Sequence, residues 1–213
     1  MKIKKRYATA VRHDQIAEAA LDIVREEGTR GLNVAALAKR VGMVPSAVYR
    51  HFNNKSEIVD AVLELIRKRL NENYQRVIHR NLSSIEKLNL LLTEHVGLIC
   101  SNNAIPRIIF SEEVIGGMPD KQKQLYGIID DVIKNISSVV AAGQETGDIR
   151  KDIPAETIAV SFLGMIQPAA IIWNLSDGRF DLIQHSKKSW RLFLDAIQRP
   201  LRQPGEKRLM GAP

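Results

Sequence analysis

The chain of 213 residues has a single cysteine, Cys100. One thiol cannot form a disulfide within the chain or build a cysteine metal cluster, so a reducing cytosol is the expected compartment. Cys100 reads as a small buried hydrophobe, with a redox-sensing thiol as the alternative. No uninterrupted apolar run reaches the ~18 residues that a membrane span needs. The N-terminus is basic without an apolar stretch, so it does not read as a signal peptide. The expectation is a cytoplasmic protein with no membrane partner. Paired carboxylates, a nucleophile elbow, a Gly-rich phosphate loop and HExxH-type spacing are all missing. The five histidines, His13, His51, His79, His95 and His185, are scattered. No catalytic residue, metal ligand or cofactor is therefore assigned. No alternating strand pattern appears, and no repeat of roughly 20 to 50 residues.

What is present is 45% apolar residues, enough for a real core, and a net charge of +7 that is unevenly placed. The first 70 residues hold 14 Lys/Arg against 8 Asp/Glu, whereas the other 143 are nearly balanced. Positive charge segregated in this way suits phosphate binding rather than mere solubility.

The charged segment contains the most informative stretch, residues 33 to 57. Asn33 suits the N-cap of a helix from Val34, on which Val34, Leu37, Ala38 and Val41 form one apolar stripe. Gly42 stops that helix, Met43 and Val44 turn the chain, and Pro45 opens a second helix. Two short helices joined at a Gly turn form a helix-turn-helix pattern. Ala47, Val48 and Phe52 face inward on the second helix, while Pro45, Ser46, Tyr49 and Arg50 share its outer face. Small residues at a helix N-terminus permit close approach to a major groove. Tyr49 and His51 can donate to phosphates, and Lys55 can neutralise one.

The run Gly42-Met-Val-Pro-Ser-Ala-Val-Tyr-Arg-His-Phe-Asn-Asn-Lys-Ser-Glu57 resembles the recognition-helix signature of the TetR family of bacterial transcriptional regulators, over roughly residues 12 to 60. Val44 stands where the family often has Ser or Thr, and Ser46 where Gly is common, so a capping-hydroxyl contact to phosphate is not carried over. The resemblance implies an all-α protein of about nine helices: an N-terminal three-helix DNA-binding domain, then a helical ligand-binding and dimerisation domain. The expected DNA contacts are Asn33, Pro45, Ser46, Tyr49, Arg50, His51 and Lys55.

In chain order, residues 1–12 are a basic arm bearing Lys2, Lys4, Lys5 and Arg6. It reads as a solvated tail or as an arm reaching phosphates or a minor groove, and the two are compatible. Residues 13–57 are the DNA-binding domain, with a first helix over about Asp14–Glu27 ended by Gly28. Residues 58–80 are a connecting helix that begins near Lys55 with Asn54 or Ser56 as its cap. Residues 81–199 are the second domain, whose helices run over Ser84–Asn102, Pro106–Val114 (broken by Gly116-Gly117), Pro119–Gly147, Pro154–Leu175 and Asp181–Gln198. The segment 143–152 also resembles, over a short span, the turn that ends the seventh helix in the family. Residues 200–213, rich in Pro and Gly, are an expected disordered tail.

Residues 158 to 173 are apolar almost all round, more than one chain of this size easily covers. Ser161, Gly164 and Ala169 would admit a second helix closely, and the last helix adds Trp190, Phe193, Leu194 and Ile197. The resemblance implies that these two helices form a homodimer, with Phe162, Met165, Ala169, Trp190, Phe193, Leu194 and Ile197 as interface candidates. It also implies a pocket for a small-molecule effector, for which His95, Ile99, Cys100, Phe110, Met165, Gln167 and Trp173 are candidate lining residues. Pro168 predicts a kink. The implied function is repression from a palindromic operator, relieved by a small apolar or amphipathic ligand. The alternatives are a constitutive DNA-binding protein without a ligand, and a helical enzyme.

Overall fold

The structure, a computed structural model, describes residues 2–117 and 119–198, with side chains described from residue 13 onward and not at Gly117. The side chains of the basic arm and the expected tail at 200–213 lie outside the described residues.

Among the described residues the chain forms nine α-helices and no strand. The first is α1 (Lys2–Gly31), whose backbone is helical from Lys2 and so includes the segment read as an arm. Gly28 interrupts it at φ 72°, a left-handed conformation open to glycine at little cost. Then come α2 (Val34–Arg40), α3 (Pro45–Val48) and the long α4 (Lys55–Ile78). The second half is α5 (Ser84–Ser101), α6 (Ala104–Ile109), a π-helical turn at 112–117, α7 (Pro119–Thr146), α8 (Ala155–Leu175) and α9 (Leu182–Ile197). The helix expected to continue from Pro106 to Val114 instead ends at Ile109 and reopens as the wider turn.

Local chemistry accounts for many of the ends. Asn33, Asn54 and Asp181 cap α2, α4 and α9 by accepting from the backbone N–H groups of Ala36, Glu57 and Gln184. Ser83 and Glu86 close a reciprocal capping box on α5.

Two cores result. In the first, Ile16, Ala20 and Val24 of α1 pack with Leu37, Val48 and Phe52 and with Ile58, Val62 and Ile66 of α4. In the second, α5, α7, α8 and α9 bury Leu88, Leu92, Val140, Ile158, Phe162 and Ile166. Phe162 and Phe193 meet there edge to face, 5.7 Å between ring centres. Helix α4 enters both cores, with Ile58 to Ile66 in the first and Val77 in the second.

The turn after α7 fastens this second core. Gly147 takes φ 87°, Ile149 N donates to Gly143 O at 3.0 Å, and Gln144 Nε2 donates to the carbonyls of Arg150 and Ile153. Arg150 N in turn donates to Ile197 O at 2.9 Å, tying the turn to the end of α9. A Cβ on Gly143 would lie 2.6 Å from Ile149 Cδ1 and 2.8 Å from Ser84 Cβ, so only glycine fits without movement.

By length and composition α8 could cross a membrane. It packs instead between α7 and α9 with Phe162, Ile166 and Ala169 inward.

Candidate DNA-binding face and effector cavity

The turn between α2 and α3 is built as its residues require. Gly42 adopts φ 66°, and Met43 N donates to Ala38 O at 2.9 Å, closing the C-terminus of α2. Pro45 occupies the first turn of α3, and Val44 before it makes no side-chain cap. Although α3 is short, its hydrogen bonding continues: Tyr49 N donates to Pro45 O and Phe52 N to Val48 O, both at 3.0 Å. Val48 and Phe52 are buried, which fixes the rotation of this segment. Pro45, Ser46, Tyr49 and Arg50 are thereby turned outward, with Tyr49 52% exposed. Arg50 has no ion pair among the described residues. Val44, 62% exposed at the start of the same face, is an apolar group that motif reading passed over. Such a group suits contact with a thymine methyl.

Three of the expected contacts are already engaged. The Asn33 amide caps α2 and donates to Gly31 O. His51 stands edge-on to His13, 5.6 Å between ring centres. Lys55 Nζ donates to Thr29 O at 2.9 Å and to Glu113 Oε1 at 2.5 Å.

Behind this unit, α4, α5, α6, α7 and α8 enclose a cavity of about 260 Å³. Leu63, Ile66 and Leu70 of α4 form one wall, and Leu125, Ile128 and Ile129 of α7 face it. Ile115 and Ile129 are partly exposed, so the cavity opens beside the π-helical turn. Two polar side chains, His95 and Gln167, interrupt the hydrocarbon lining. Burial pushes the His95 imidazole down to about 4, so it is neutral at physiological pH.

Comparison with known proteins joins these two features. The profile of bacterial regulatory proteins of the tetR family matches residues 16–62, and that of the YsiA-like protein C-terminal region matches residues 54–196. The chain belongs to the TetR family. It is a DNA-binding transcriptional regulator. The fatty acid metabolism regulator protein of Bacillus subtilis is 21% identical over 183 residues, 86% of this chain and 94% of the relative. The repressor KstR2 of Rhodococcus jostii is 24% identical over 191 residues, covering 89% and 92%. Nucleoid occlusion factor SlmA of Aliivibrio fischeri is 20% identical over 188 residues, covering 88% and 96%. Among solved structures, FadR of Bacillus subtilis in complex with stearoyl-CoA superposes with a TM-score of 0.73 at 21% identity, covering 86% of this chain and 98% of that one.

Within this TetR-family fold, His95, Ile99, Phe110 and Gln167 reach the cavity. Met165 and Trp173 do not; they pack against the second core instead. Cys100 also sits against that core, away from the cavity lining, and its thiol is pushed up by burial and by Asp181. The three α4 residues of the wall carry no sequence signal, being apolar positions like their neighbours.

The interface candidates divide in the same way. Phe162, Ala169, Phe193 and Ile197 are buried within their own chain. Met165, Trp190 and Leu194 are only partly buried. The apolar residues that α8 and α9 leave uncovered are Val160, Ile171, Ile172, Leu175, Ile183 and Leu192. Ser161 and Gly164 lie on that open side of α8, whereas Ala169 faces inward.

Proposed function

We propose that two copies pair through the uncovered apolar face of α8 and α9. The pair would set its two α3 segments in successive major grooves, about 34 Å apart, on a palindromic operator in the cytoplasm. Pro45, Ser46, Tyr49 and Arg50 face the groove, while His51 and Lys55 meet phosphates. Entry of a small, mainly hydrocarbon molecule into the cavity releases the operator, and the output is repression.

The observation that carries this reading is the position of α4. Its N-terminal half supplies the floor of the DNA-binding unit through Ile58 and Val62, and Leu63, Ile66 and Leu70 line the cavity. A ligand that displaces this wall moves the helix on which the recognition unit rests. Its effect on DNA affinity equals its preference for one of the two arrangements. The apolar lining suits an amphipathic effector; among the relatives, FadR is solved in complex with stearoyl-CoA and KstR2 is described as a ketosteroid transcriptional regulator. A constitutive DNA-binding protein without an effector has no use for such a cavity.

The test is selection of bound genomic fragments by the purified protein, followed by titration of the complex with stearoyl-CoA. Recovery of palindromic fragments and their release by the ligand is the expected result. A compound that fills the cavity and leaves operator affinity unchanged overturns the reading.

A further inference from the structure

The DNA-binding unit keeps its large apolar side chains inside, with two exceptions. Among the side chains described between residues 13 and 114, Val44 and Tyr49 alone are large, apolar and exposed. Both follow Gly42 on the helix-turn-helix. Tyr49 ends in a hydroxyl that can meet a phosphate. Val44, 62% exposed, ends in two methyl groups and has neither donor nor acceptor in its side chain.

Local geometry holds Val44 out. On a continuous helix a residue four before Val48 would share its buried side. Val44 is instead extended, at φ −74° and ψ 146°, so Val48 is buried while Val44 stands bare. Pro45 enforces this, because its ring disfavours a helical residue before it. A Ser, Thr, Asp or Asn at position 44 could cap α3, as Asn33 and Asn54 cap α2 and α4. Val44 makes no such cap. The position therefore forgoes a hydrogen bond and shows hydrocarbon to water, and neither favours the free protein.

Duplex DNA offers one match for such a group. Base edges in the major groove carry donors, acceptors and a single apolar group, the C5-methyl of thymine. Phosphate oxygens suit Tyr49 and gain nothing from an isopropyl group. We propose that Val44 is a specificity-determining residue that packs on one thymine methyl in each operator half-site. This rests on the reading of the α3 segment as the part that enters the groove, and it adds the base read there. Cytosine lacks that methyl and turns a polar amino edge toward the same space, so it is rejected. The remaining outward residues, Ser46 and Arg50, are polar and read other positions or meet phosphates.

The test starts from the operator that the full chain selects out of random duplexes. Each thymine is replaced in turn by uracil, which removes the methyl and leaves the pairing edge unchanged. Affinity is read by fluorescence anisotropy. At one thymine per half-site the replacement should weaken binding about fourfold, and about sixteenfold when made in both halves, the worth of one methyl group withdrawn from water at each. In Val44→Ser, which restores a capping hydroxyl, the same replacement should change nothing further. Val44→Ala gives the same reading should that variant fail to fold. Three outcomes overturn the proposal and leave the docking face standing: no thymine is sensitive to loss of its methyl, every sensitive thymine stays equally sensitive in the variant, or the variant weakens all duplexes alike, as a sugar contact would. A native chain that selects no sequence at all overturns the docking face as well.

Discussion

Lys55 Nζ lies 2.5 Å from Glu113 Oε1, so a cation expected to meet a DNA phosphate is held by a carboxylate of the π-helical turn. That hydrogen bond keeps the Glu113 carboxyl below its ordinary range. Ile115, two residues on, lines the cavity mouth, and its carbonyl accepts from Gln122 Nε2 at 2.7 Å. Lys55 cannot serve phosphate and Glu113 at full strength together. Glu113→Gln should raise operator affinity by about two- to fivefold, the worth of a partly exposed ion pair. Lys55→Ala should weaken binding to all sequences alike and flatten the salt dependence by about one phosphate. Fluorescence anisotropy over a salt series reads both. An unchanged affinity for Glu113→Gln would mean that Lys55 meets DNA without leaving its partner.

Tyr49 stands on the outward face while its neighbours Val48 and Phe52 anchor the segment. Tyr49→Ala should lower operator affinity about tenfold through lost phosphate and groove contact. Its melting temperature should hardly move, because an exposed side chain contributes within about 0.5 kcal/mol. A variant that binds its operator normally would reject the docking face.

His95 makes the fold sensitive to acid. Unfolded, the imidazole takes its proton near its ordinary value of 6.5; folded, it does so only near 4. Between those values the unfolded chain holds the extra proton, so acidification favours unfolding by up to about 3 kcal/mol in all. This contribution is present above pH 6.5 and is lost as pH falls toward 4. Denaturant melts at pH 7 and pH 5 should show the loss in the native chain and a shallower slope in His95→Phe. Parallel slopes would mean that His95 titrates normally.

Leu192 is 74% exposed on α9, and Leu175 at the end of α8 is 77% exposed. Both are large apolar side chains left bare on the two helices proposed to pair, the kind of surface a partner hides. Leu192→Asp should convert dimers to monomers in sedimentation, leave helical content intact and lower operator affinity steeply. A native chain that sediments as a monomer would refute the pairing outright.

Much of the fold was legible because its signals are local. Gly42, Pro45, Asn33, Asn54 and Asp181 act within a few residues of themselves, and each stands at the helix end its chemistry implies. The stripes of α4, α5 and α7 likewise report which side is buried. Helix α8 defeated that approach. It is apolar on nearly every side, so no period separates Ile166, which is buried, from Ile172, which is bare. For this reason Phe162 and Ala169 were assigned to a partner, and Met165 and Trp173 to the cavity. The Lys55–Glu113 pair joins positions far apart in sequence, and no pattern along the chain announces it.

Helix α4 is shared between two interiors. Cutting the chain at residue 57 would leave a headpiece without Ile58, Val62 and Ile66, the floor on which it stands. Any chimera that grafts this headpiece onto another regulator must therefore splice beyond residue 66. By the same token, the protein should melt in a single cooperative step rather than lobe by lobe, since neither half keeps its own foundation once the common strut gives way.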